Sequence, residues 1–392
     1  MYLFLLGRDY KLSILEILSY FKFNNISYSL ITSTNNYIIF KDFPKDLDFN
    51  KVILDVSGIT RIYKIFYVSE KLNNSFLNKF DKEYTNKFNY SVSYTDASHN
   101  HLQIVLDILK EQFKSEKIKA VYKKPKKHDP KIENTIVNPN NYFSYSLDKG
   151  FELFLTKNKN LFYIGYAIAC TSLKDIILKD TKRPEQRELY STSFRLVKIM
   201  INLLSLKKGK RIYDPFCGLG NFLIEGLSKG YDVVGVDKDR EMVVKSKKNV
   251  SWAIDYFKLK NNSSILHGDS SKLKVRADAV VFEPYMGPFI SKLLNYTRAK
   301  EISDSLTKLY FDVFKNLSEN LKPKTRVVCI LPEFKTYDNK IIKITNDVFL
   351  KNNFVFYDLK KINKDITIEN PIFYTTPNDS KINRYIYILE RK

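Results

Sequence analysis

The sequence is poor in glycine, proline and cysteine. Of 392 residues, 12 are glycine and 12 are proline, which excludes a collagen-like chain and a Gly/Pro-rich disordered chain. Three cysteines, Cys170, Cys217 and Cys329, lie far apart and form no CxxC pair. We therefore expect neither a disulfide framework nor a cysteine-based zinc site. There are four histidines, of which only His99 and His101 are close in sequence, so we predict no metal centre.

Long apolar runs are also missing. No stretch of about 18 apolar residues exists, which argues against a membrane-spanning helix. The N-terminal MYLFLLGRD has no basic start and a short apolar run, unlike a secretory signal. We expect a reduced, soluble, cytoplasmic protein.

Positive charge is abundant. The formal net charge is +22, which favours a polyanionic partner, most simply a nucleic acid. Alanine occurs only 8 times while lysine, asparagine and isoleucine are common, so drift in an A+T-rich coding sequence is the alternative explanation. Residues 1–70 carry a net +1, residues 71–195 a net +8 and residues 196–392 a net +13.

The densest basic run is KIKAVYKKPKKHDPK, residues 117–131, with seven lysines against one aspartate. Its two prolines disfavour a regular helix in its second half. Lysines interleaved with an aromatic side chain are typical of phosphate contacts. The alternative is a solvated surface loop. The candidate RNA-binding residues in this run are Lys123, Lys124, Lys126 and Lys127.

The hydrophobic pattern divides the chain. Residues 1–70 alternate as β-α-β-β-α-β, the split βαβ arrangement of a ferredoxin-like domain. Residues 71–170 predict a second α+β unit, and the polar residues 171–195 predict a linker. Residues 196–392 alternate strands and helices, which indicates a parallel, doubly wound sheet.

The end of the chain breaks this alternation. We predict a helix at 340–351, a strand at 354–360, a long polar loop at 361–383 and a strand at 384–390. With no helix between them, the two strands predict an antiparallel pair appended to the parallel sheet.

The strongest motif follows the strand at 211–213 and reads DPFCGLGNFLIE. Glycines at a strand-to-helix turn let a ligand approach the helix N-terminus closely. Asp237 ends the next strand, where a carboxylate can accept hydrogen bonds from a ribose, and Asp269 follows the third. The missing third glycine and the acid before the first one favour S-adenosylmethionine over a dinucleotide, whose pyrophosphate the acid would repel. The candidate cofactor residues are Asp214, Pro215, Phe216, Gly218, Gly220, Asp237 and Asp269.

A second motif, EPYMGP, follows the strand at 279–282. An exocyclic amine on a base is a poor nucleophile because its lone pair is delocalised into the ring. Glu283 and the Pro284 carbonyl are candidate acceptors for its N–H bonds, and Tyr285 is a candidate stacking partner for the base. Such a base must leave its stack to reach the pocket.

These segments resemble class I (Rossmann-like) S-adenosylmethionine-dependent methyltransferases. More narrowly, the chain is similar to the THUMP-containing tRNA guanosine N2-methyltransferases that act on guanosine 10. The resemblance rests on four segments: YLFLLGRDYKLSILEIL, RPEQRELYSTSFRLVKIMINLL, DPFCGLGNFLIEG and INRYIYILE. It implies a ferredoxin-like domain at 1–70, a THUMP-like RNA-binding domain at 71–170, a linker at 171–195 and a methyltransferase domain with an antiparallel last strand at 196–392.

The implied activity is methylation of the N2 amine of a tRNA guanosine, with tRNA as partner, no membrane, and an accessory subunit left open. The family usually reads (D/N)PPY where this chain has EPY, so Glu283 either replaces the shorter acid or the loop is re-registered. Two alternatives remain: an amine methyltransferase of another RNA or DNA base, and a non-catalytic RNA-binding protein with a degenerate methyltransferase domain. Arg183 in the linker is predicted to contact RNA, to cap the cofactor pocket, or to form an interdomain salt bridge.

Overall fold

The computed structural model describes residues 1–80, 87–123, 150–172, 174–186, 192–375 and 380–392. The chain forms two compact units. The first comprises Met1–Ile14 and Asn25–Lys174, and the second comprises Leu15–Asn24 and Asp175–Lys392. The domain boundaries inferred from the sequence stay a prediction.

The described residues of the first unit form an eight-stranded sheet in the order β2-β3-β1-β4-β8-β7-β5-β6. Its strands are Tyr2–Leu6 (β1), Ser29–Ser33 (β2), Tyr37–Lys41 (β3), Ile59–Ser69 (β4), Lys87–Thr95 (β5), Lys119–Tyr122 (β6), Gly150–Asn158 (β7) and Leu161–Cys170 (β8). Its helices are the first part of Tyr10–Phe23 (α1), Phe49–Asp55 (α2) and His99–Ser115 (α3). The first six elements therefore follow the order β-α-β-β-α-β.

Helix caps and a buried charge fix this unit locally. The Asp48 side chain accepts from two backbone amides at the start of α2, and Ser98 caps α3, as short polar side chains do at helix N-termini. Glu152 on β7 is buried and accepts from Tyr63 Oη at 2.7 Å and from Ser93 Oγ at 3.0 Å, with Arg61 Nε 3.3 Å away. Ser93 lies on the adjacent strand β5, and Tyr63 and Arg61 lie on β4, which is separated from β7 by β8, so the Glu152 side chain links strands across the middle of the sheet.

The second unit has a sheet of nine strands among the described residues, in the order β11-β10-β9-β12-β13-β17-β15, with β14 paired to β13 and β16 to β17. The strands are Arg211–Asp214 (β9), Asp232–Asp237 (β10), Ser263–His267 (β11), Ala279–Phe282 (β12), Arg326–Lys335 (β13), Ile341–Lys343 (β14), Phe354–Phe356 (β15), Ile372–Tyr374 (β16) and Ile382–Arg391 (β17). The helices are Lys174–Lys182 (α4), Phe194–Leu203 (α5), Asn221–Ser228 (α6), Arg240–Phe257 (α7), Tyr296–Asn320 (α8) and Asp347–Leu350 (α9).

Along the sheet from β11 through β10, β9 and β12 to β13, each strand is parallel to the next one. The last strand, β17, runs antiparallel to β13 and β15. The predicted α/β architecture with an antiparallel last strand is therefore confirmed. β12 is buried at all four positions, as expected of a strand covered on both faces. The carboxyl ends of β9, β10, β11 and β12 meet at one edge, which is where ligands bind in open parallel sheets.

Three local predictions near the C-terminus were wrong. The expected helix at 340–351 is the strand β14 followed by the four-residue α9, and the expected strand at 354–360 ends at Phe356. Ile341 and Ile342 favour a strand because they are β-branched, and β14 pairs with the extended end of β13. The expected loop at 361–383 contains β16, which pairs with β17.

Candidate active site

Asp214 is the last residue of β9 and is buried, at 1% exposure. Its Oδ1 accepts from the Phe216 amide at 3.0 Å, while its Oδ2 is buried with no hydrogen-bond partner among the described residues. Burial raises the pKa of Asp214 well above its ordinary value, and the carboxylates of Asp237 and Glu283 raise it further. A buried acceptor of this kind is strongly unfavourable unless a donor arrives, so this oxygen is a site for a hydrogen-bond donor or a cation.

The glycine loop after β9 is fastened to the end of β10. The Cys217 amide donates to the Val236 carbonyl at 3.0 Å, and the Gly218 amide donates to Asp237 Oδ2 at 2.8 Å. The Pro215 carbonyl accepts from Ser270 Oγ, which ties the loop to the segment after β11. The Phe216 ring contacts the Phe282 ring, with centroids 5.7 Å apart.

The two glycines serve different purposes. Gly220 has φ +84°, and a Cβ there would lie 2.7 Å from Ser246 Oγ and 3.2 Å from Val250 Cγ2, so it is needed for packing against α7. Gly218 has φ +47°, and a Cβ there would have no neighbour nearer than the Phe216 carbonyl oxygen at 4.0 Å. The open space lies beside Gly218, where a ligand can approach the backbone.

Asp237 ends β10, and its carboxylate can accept more hydrogen bonds than the two it accepts from the backbone. Its Oδ2 accepts from Gly218, and its Oδ1 accepts from the Asp239 amide at 2.9 Å. A carboxylate has about four lone-pair positions, so further donors such as hydroxyl groups can bind.

Asp269 follows β11 in a more solvated position. Its Oδ1 accepts from the Ser271 hydroxyl at 2.7 Å and from the Ser271 amide at 3.0 Å, and Lys238 Nζ lies 3.8 Å from Oδ2. The Ser271 hydroxyl, together with that amide and the lysine charges, lowers the pKa of Asp269. The Gly268 amide donates to the Asp237 carbonyl at 3.0 Å, so the ends of β10 and β11 are joined.

Glu283 follows β12, the strand that pairs with β9. Its Oε2 accepts from Thr192 Oγ1. Its Oε1 lies 3.4 Å from Arg384 Nε on β17 but accepts no hydrogen bond from the part of the chain that the structure describes. Burial raises the pKa of Glu283, and Arg384 opposes that rise. Glu283 Oε1 is therefore a second buried carboxylate oxygen that lacks a donor among the described residues, and it lies at the end of the strand next to the one that Asp214 ends.

Pro284 is buried and Tyr285 is exposed. The Tyr285 carbonyl accepts from the buried Tyr310 hydroxyl at 2.6 Å, which fixes the backbone while the ring stays accessible. A depression of about 220 Å³ begins at Tyr285 and continues along α8. Its lining residues are Tyr285, Gly287, Pro288, Arg298, Glu301, Ile302, Ser305 and Leu306.

Several contributors were missed by the sequence analysis, namely Thr192, Ser270, Tyr310 and Arg384. Their partners are distant in sequence, so no local motif indicates them. Arg183 is buried and its Nη1 donates to Asn221 Oδ1 at the start of α6. Within the second unit, Arg183 thus contacts the helix that follows the glycine loop.

The basic run is only partly described. The Lys123 amide donates to the Tyr90 carbonyl at 2.7 Å, next to β6. Lys124, Lys126 and Lys127 lie outside the described residues, so the predicted RNA-binding lysines stay a prediction. Within the described ranges, no group of three His, Cys, Asp or Glu residues is arranged to hold a metal ion. No helix in those ranges has the length and apolar character needed to span a bilayer.

Comparison with known proteins agrees with this geometry. Residues 193–362 match the family model UPF0020, described as RMKL-like, methyltransferase domain. A tRNA (guanine(10)-N2)-dimethyltransferase of Methanothermobacter thermautotrophicus is 33% identical over 144 residues, covering 35% of this chain and 39% of that protein. A protein of the same name from Methanocaldococcus jannaschii is 33% identical over 87 residues, covering 21% and 24%.

Other similar proteins carry different names. A 23S rRNA (uracil(1939)-C(5))-methyltransferase RlmD of Neisseria lactamica is 36% identical over 58 residues, 15% of this chain and 13% of that protein. The matches thus span less than two fifths of the length of these curated relatives. The crystal structure of TrmN from Thermus thermophilus matches with a TM-score of 0.56 at 13% identity, and the match covers 100% of this chain and 99% of the TrmN chain. The two proteins therefore share a fold. The glycine loop and the strand-end acids all lie within residues 193–362, the part of the chain that matches this methyltransferase-domain model.

Proposed function

We propose that this protein methylates the exocyclic N2 amine of a guanosine in tRNA. The observation that carries the proposal is a pair of buried carboxylate oxygens, Asp214 Oδ2 and Glu283 Oε1, that accept no hydrogen bond from any described residue. They lie at the carboxyl ends of the neighbouring strands β9 and β12. One suits the ammonium group of the cofactor and the other suits the amino group of a base. The names of the relatives from Methanothermobacter and Methanocaldococcus support guanine N2 as the target.

The strand-end residues suit S-adenosylmethionine. The amino group of the cofactor would donate a hydrogen bond to the Asp214 carboxylate or to the backbone next to it. The Pro215–Phe216 turn and Gly218 would lie along the cofactor. Gly220 keeps α7 close enough to shape the loop. Asp237 retains acceptors for ribose hydroxyls, and Asp269 is suited to donors on the nucleoside base. When bound, the cofactor supplies an electrophilic methyl group.

Glu283, Pro284 and Tyr285 would hold the target base. The Glu283 carboxylate and the Pro284 carbonyl would accept from the two amine N–H bonds, which draws the nitrogen lone pair out of conjugation with the ring. The exposed Tyr285 ring would stack on the base. Glu283, whose pKa is raised by burial, would also be the first acceptor for the proton that the amine loses. These contributions are orientation and electrostatics.

A tRNA substrate is consistent with the charge of the chain. A net charge of +22 favours a phosphate backbone, and Lys123 with the neighbouring lysines at 124, 126 and 127 would contact it. The cytoplasm is the proposed compartment because the proposed substrate is found there. The proposal leaves an accessory subunit open.

A uracil C5 reaction, named for the Neisseria relative, is disfavoured. That chemistry uses a cysteine thiolate as nucleophile. Burial raises the pKa of Cys217 and Cys329 far above the ordinary thiol value, and burial raises the pKa of Cys170 to about 12. None of the three is positioned as a reactive thiolate.

The test is methyl transfer from labelled S-adenosylmethionine to unmodified tRNA transcripts, with the products digested to nucleosides and identified by mass spectrometry. We expect N2-methylated guanosine, and the ratio of mono- to dimethylated product gives the number of methyl groups. The Glu283→Gln variant should lose transfer while tRNA and cofactor binding persist. Label in adenosine or cytidine instead would move the substrate to another base, and no cofactor binding by calorimetry would favour a non-catalytic RNA-binding protein.

A further inference from the structure

Three exposed aromatic rings lie in the segments next to the EPY motif. Phe289, Tyr296 and Tyr337, here called the aromatic rim, are 67%, 46% and 66% exposed. Isolated exposed aromatic residues need no explanation, but a group of them beside a binding site indicates a surface that binds a ligand or another macromolecule.

The rim is built on one scaffold. The segment before α8 meets the segment after β13 through a parallel bridge between Leu294 and Thr336 and through the Tyr337 amide, which donates to the Leu294 carbonyl at 3.0 Å. Asn295 caps α8 by accepting from the Arg298 amide at 2.7 Å. The backbones that carry Tyr296 and Tyr337 are therefore fixed relative to each other.

The rim continues the candidate base site. Phe289 is four residues from Tyr285, and the depression of about 220 Å³ that begins at Tyr285 is also lined by Pro288 and Arg298. Gly287, with φ +97°, turns the chain there, and a Cβ would lie 3.0 Å from Ile302 Cγ2. Phe289 and Tyr296 therefore lie within two residues of side chains that line the same depression as Tyr285.

Cations accompany the rings. Lys340 Nζ lies 5.1 Å from the centroid of the Tyr296 ring, and Lys292 and Arg298 are exposed nearby in the chain. The acids of this surface are paired, Glu301 with Arg298 at 2.8 Å and Asp338 with Lys340 at 3.2 Å. Flat aromatic faces interleaved with lysine and arginine are typical of surfaces that bind single-stranded nucleic acid.

We propose that the aromatic rim binds the unpaired nucleotides that flank the target guanosine, with their bases stacked on Phe289 and Tyr337 and their phosphates near Lys292 and Lys340. This rests on the proposed function and specifies its substrate as a base within an unstacked stretch of RNA. A base that leaves its stack loses its neighbours' contacts, and the rim would replace those contacts.

The test is the affinity of the full-length protein for a tRNA transcript, measured by filter binding at fixed salt. The double variant Phe289→Ala/Tyr337→Ala should bind about tenfold or more weakly, because base–aromatic stacking is worth about 1–3 kcal/mol per ring. Tyr337→Phe should keep wild-type affinity since it keeps the ring, whereas Phe289→Leu should bind weakly because it lacks a flat face. Tyr256→Ala, which removes a 57% exposed ring on α7, is the matched control and should change nothing.

A double-alanine variant that binds tRNA within twofold of wild type would overturn the proposal. So would a double variant that loses only self-association in sedimentation, since the rim would then be a protein interface. The affinity comparison does not depend on catalysis. Wild-type protein that binds tRNA through the rim but adds no methyl group to guanosine would sink the proposed function and leave the rim standing.

Discussion

Removal of the Arg384 guanidinium should leave the Glu283 carboxylate buried without its counter-charge. Arg384 Nε lies 3.4 Å from Glu283 Oε1, and the side chains are 21% and 12% exposed. Breaking a buried ion pair by removing one partner destabilises a protein by about 3–5 kcal/mol. Because both side chains keep some exposure, we expect about 3 kcal/mol for Arg384→Met, at the lower end of that range.

This loss should appear in the thermal unfolding midpoint. About 3 kcal/mol corresponds to a fall of roughly 6–12 °C for a domain of about 200 residues. The double variant Arg384→Met/Glu283→Gln should recover most of that loss since no charge is left unpaired. Arg384→Lys is the matched control that keeps the positive charge.

The same change should move the pH dependence of methyl transfer. Arg384 lowers the pKa of Glu283 against the effect of burial, so its removal raises that pKa. If the ionised carboxylate accepts from the amine, the rising acidic limb of kcat against pH shifts to higher pH in Arg384→Met. Unchanged stability together with an unchanged limb would refute the assignment of Arg384 as the residue that holds Glu283 ionised.

Three further predictions concern Asp214, the two glycines of the loop, and the Lys179–Glu225 ion pair. Asp214→Asn should weaken S-adenosylmethionine binding by about 10–100-fold, because it removes a charge-assisted hydrogen bond of about 1.5–3 kcal/mol, while the ligand-free protein unfolds at the same or a higher temperature. Calorimetry and thermal unfolding check this, and unchanged affinity would contradict it. Because the pKa of Asp214 is raised in the folded state, its contribution to stability is full below its ordinary pKa and is lost as pH rises from there through the raised folded-state pKa, so Asp214→Asn should gain most at neutral pH and little at acid pH. Both glycines have a positive φ, so an alanine strains the backbone at either position. Gly220→Ala should unfold more easily than Gly218→Ala because its Cβ also meets Ser246 Oγ at 2.7 Å, whereas Gly218→Ala, with open space at its Cβ, should carry the backbone strain alone and lose cofactor affinity. Equal losses of stability and of affinity in the two variants would argue against these separate roles. Lys179 Nζ lies 2.7 Å from Glu225 Oε2, and both side chains are buried. Lys179→Met should destabilise by about 3 kcal/mol, at the lower end of the range for a buried pair because the charges of Lys198 and Lys229 still act on Glu225, and Lys179→Met/Glu225→Leu should restore stability. A double variant as unstable as the single one would count against this ion pair as the cause.

The alternation of strands and helices after residue 196 allowed the parallel sheet and the positions of its acids to be predicted. Asp214 and Asp237 are the last residues of their strands and Asp269 follows the next one, and parallel strands end at one edge. That rule needs no knowledge of long-range contacts, which is why the main candidate residues were within reach of the sequence.

The side chains around Glu283 could not be predicted from the sequence. Arg384 lies on the last strand, so its contact with Glu283 depends on how β17 inserts beside β13, and the contact of Thr192 depends on where the segment before α5 is placed. These are contacts between segments that are distant in sequence. The wrong helix at 340–351 has a different origin, because Ile341 pairs with Lys335 across a short turn that the hydrophobic pattern does not indicate.

The proposed function is tested by the nucleoside map of tRNA after incubation with the wild-type protein and S-adenosylmethionine, beside the Glu283→Gln variant. We expect N2-methylated guanosine with the wild-type protein and none with the variant. Methyl groups on any other nucleoside, or equal transfer by Glu283→Gln, would contradict the proposed function.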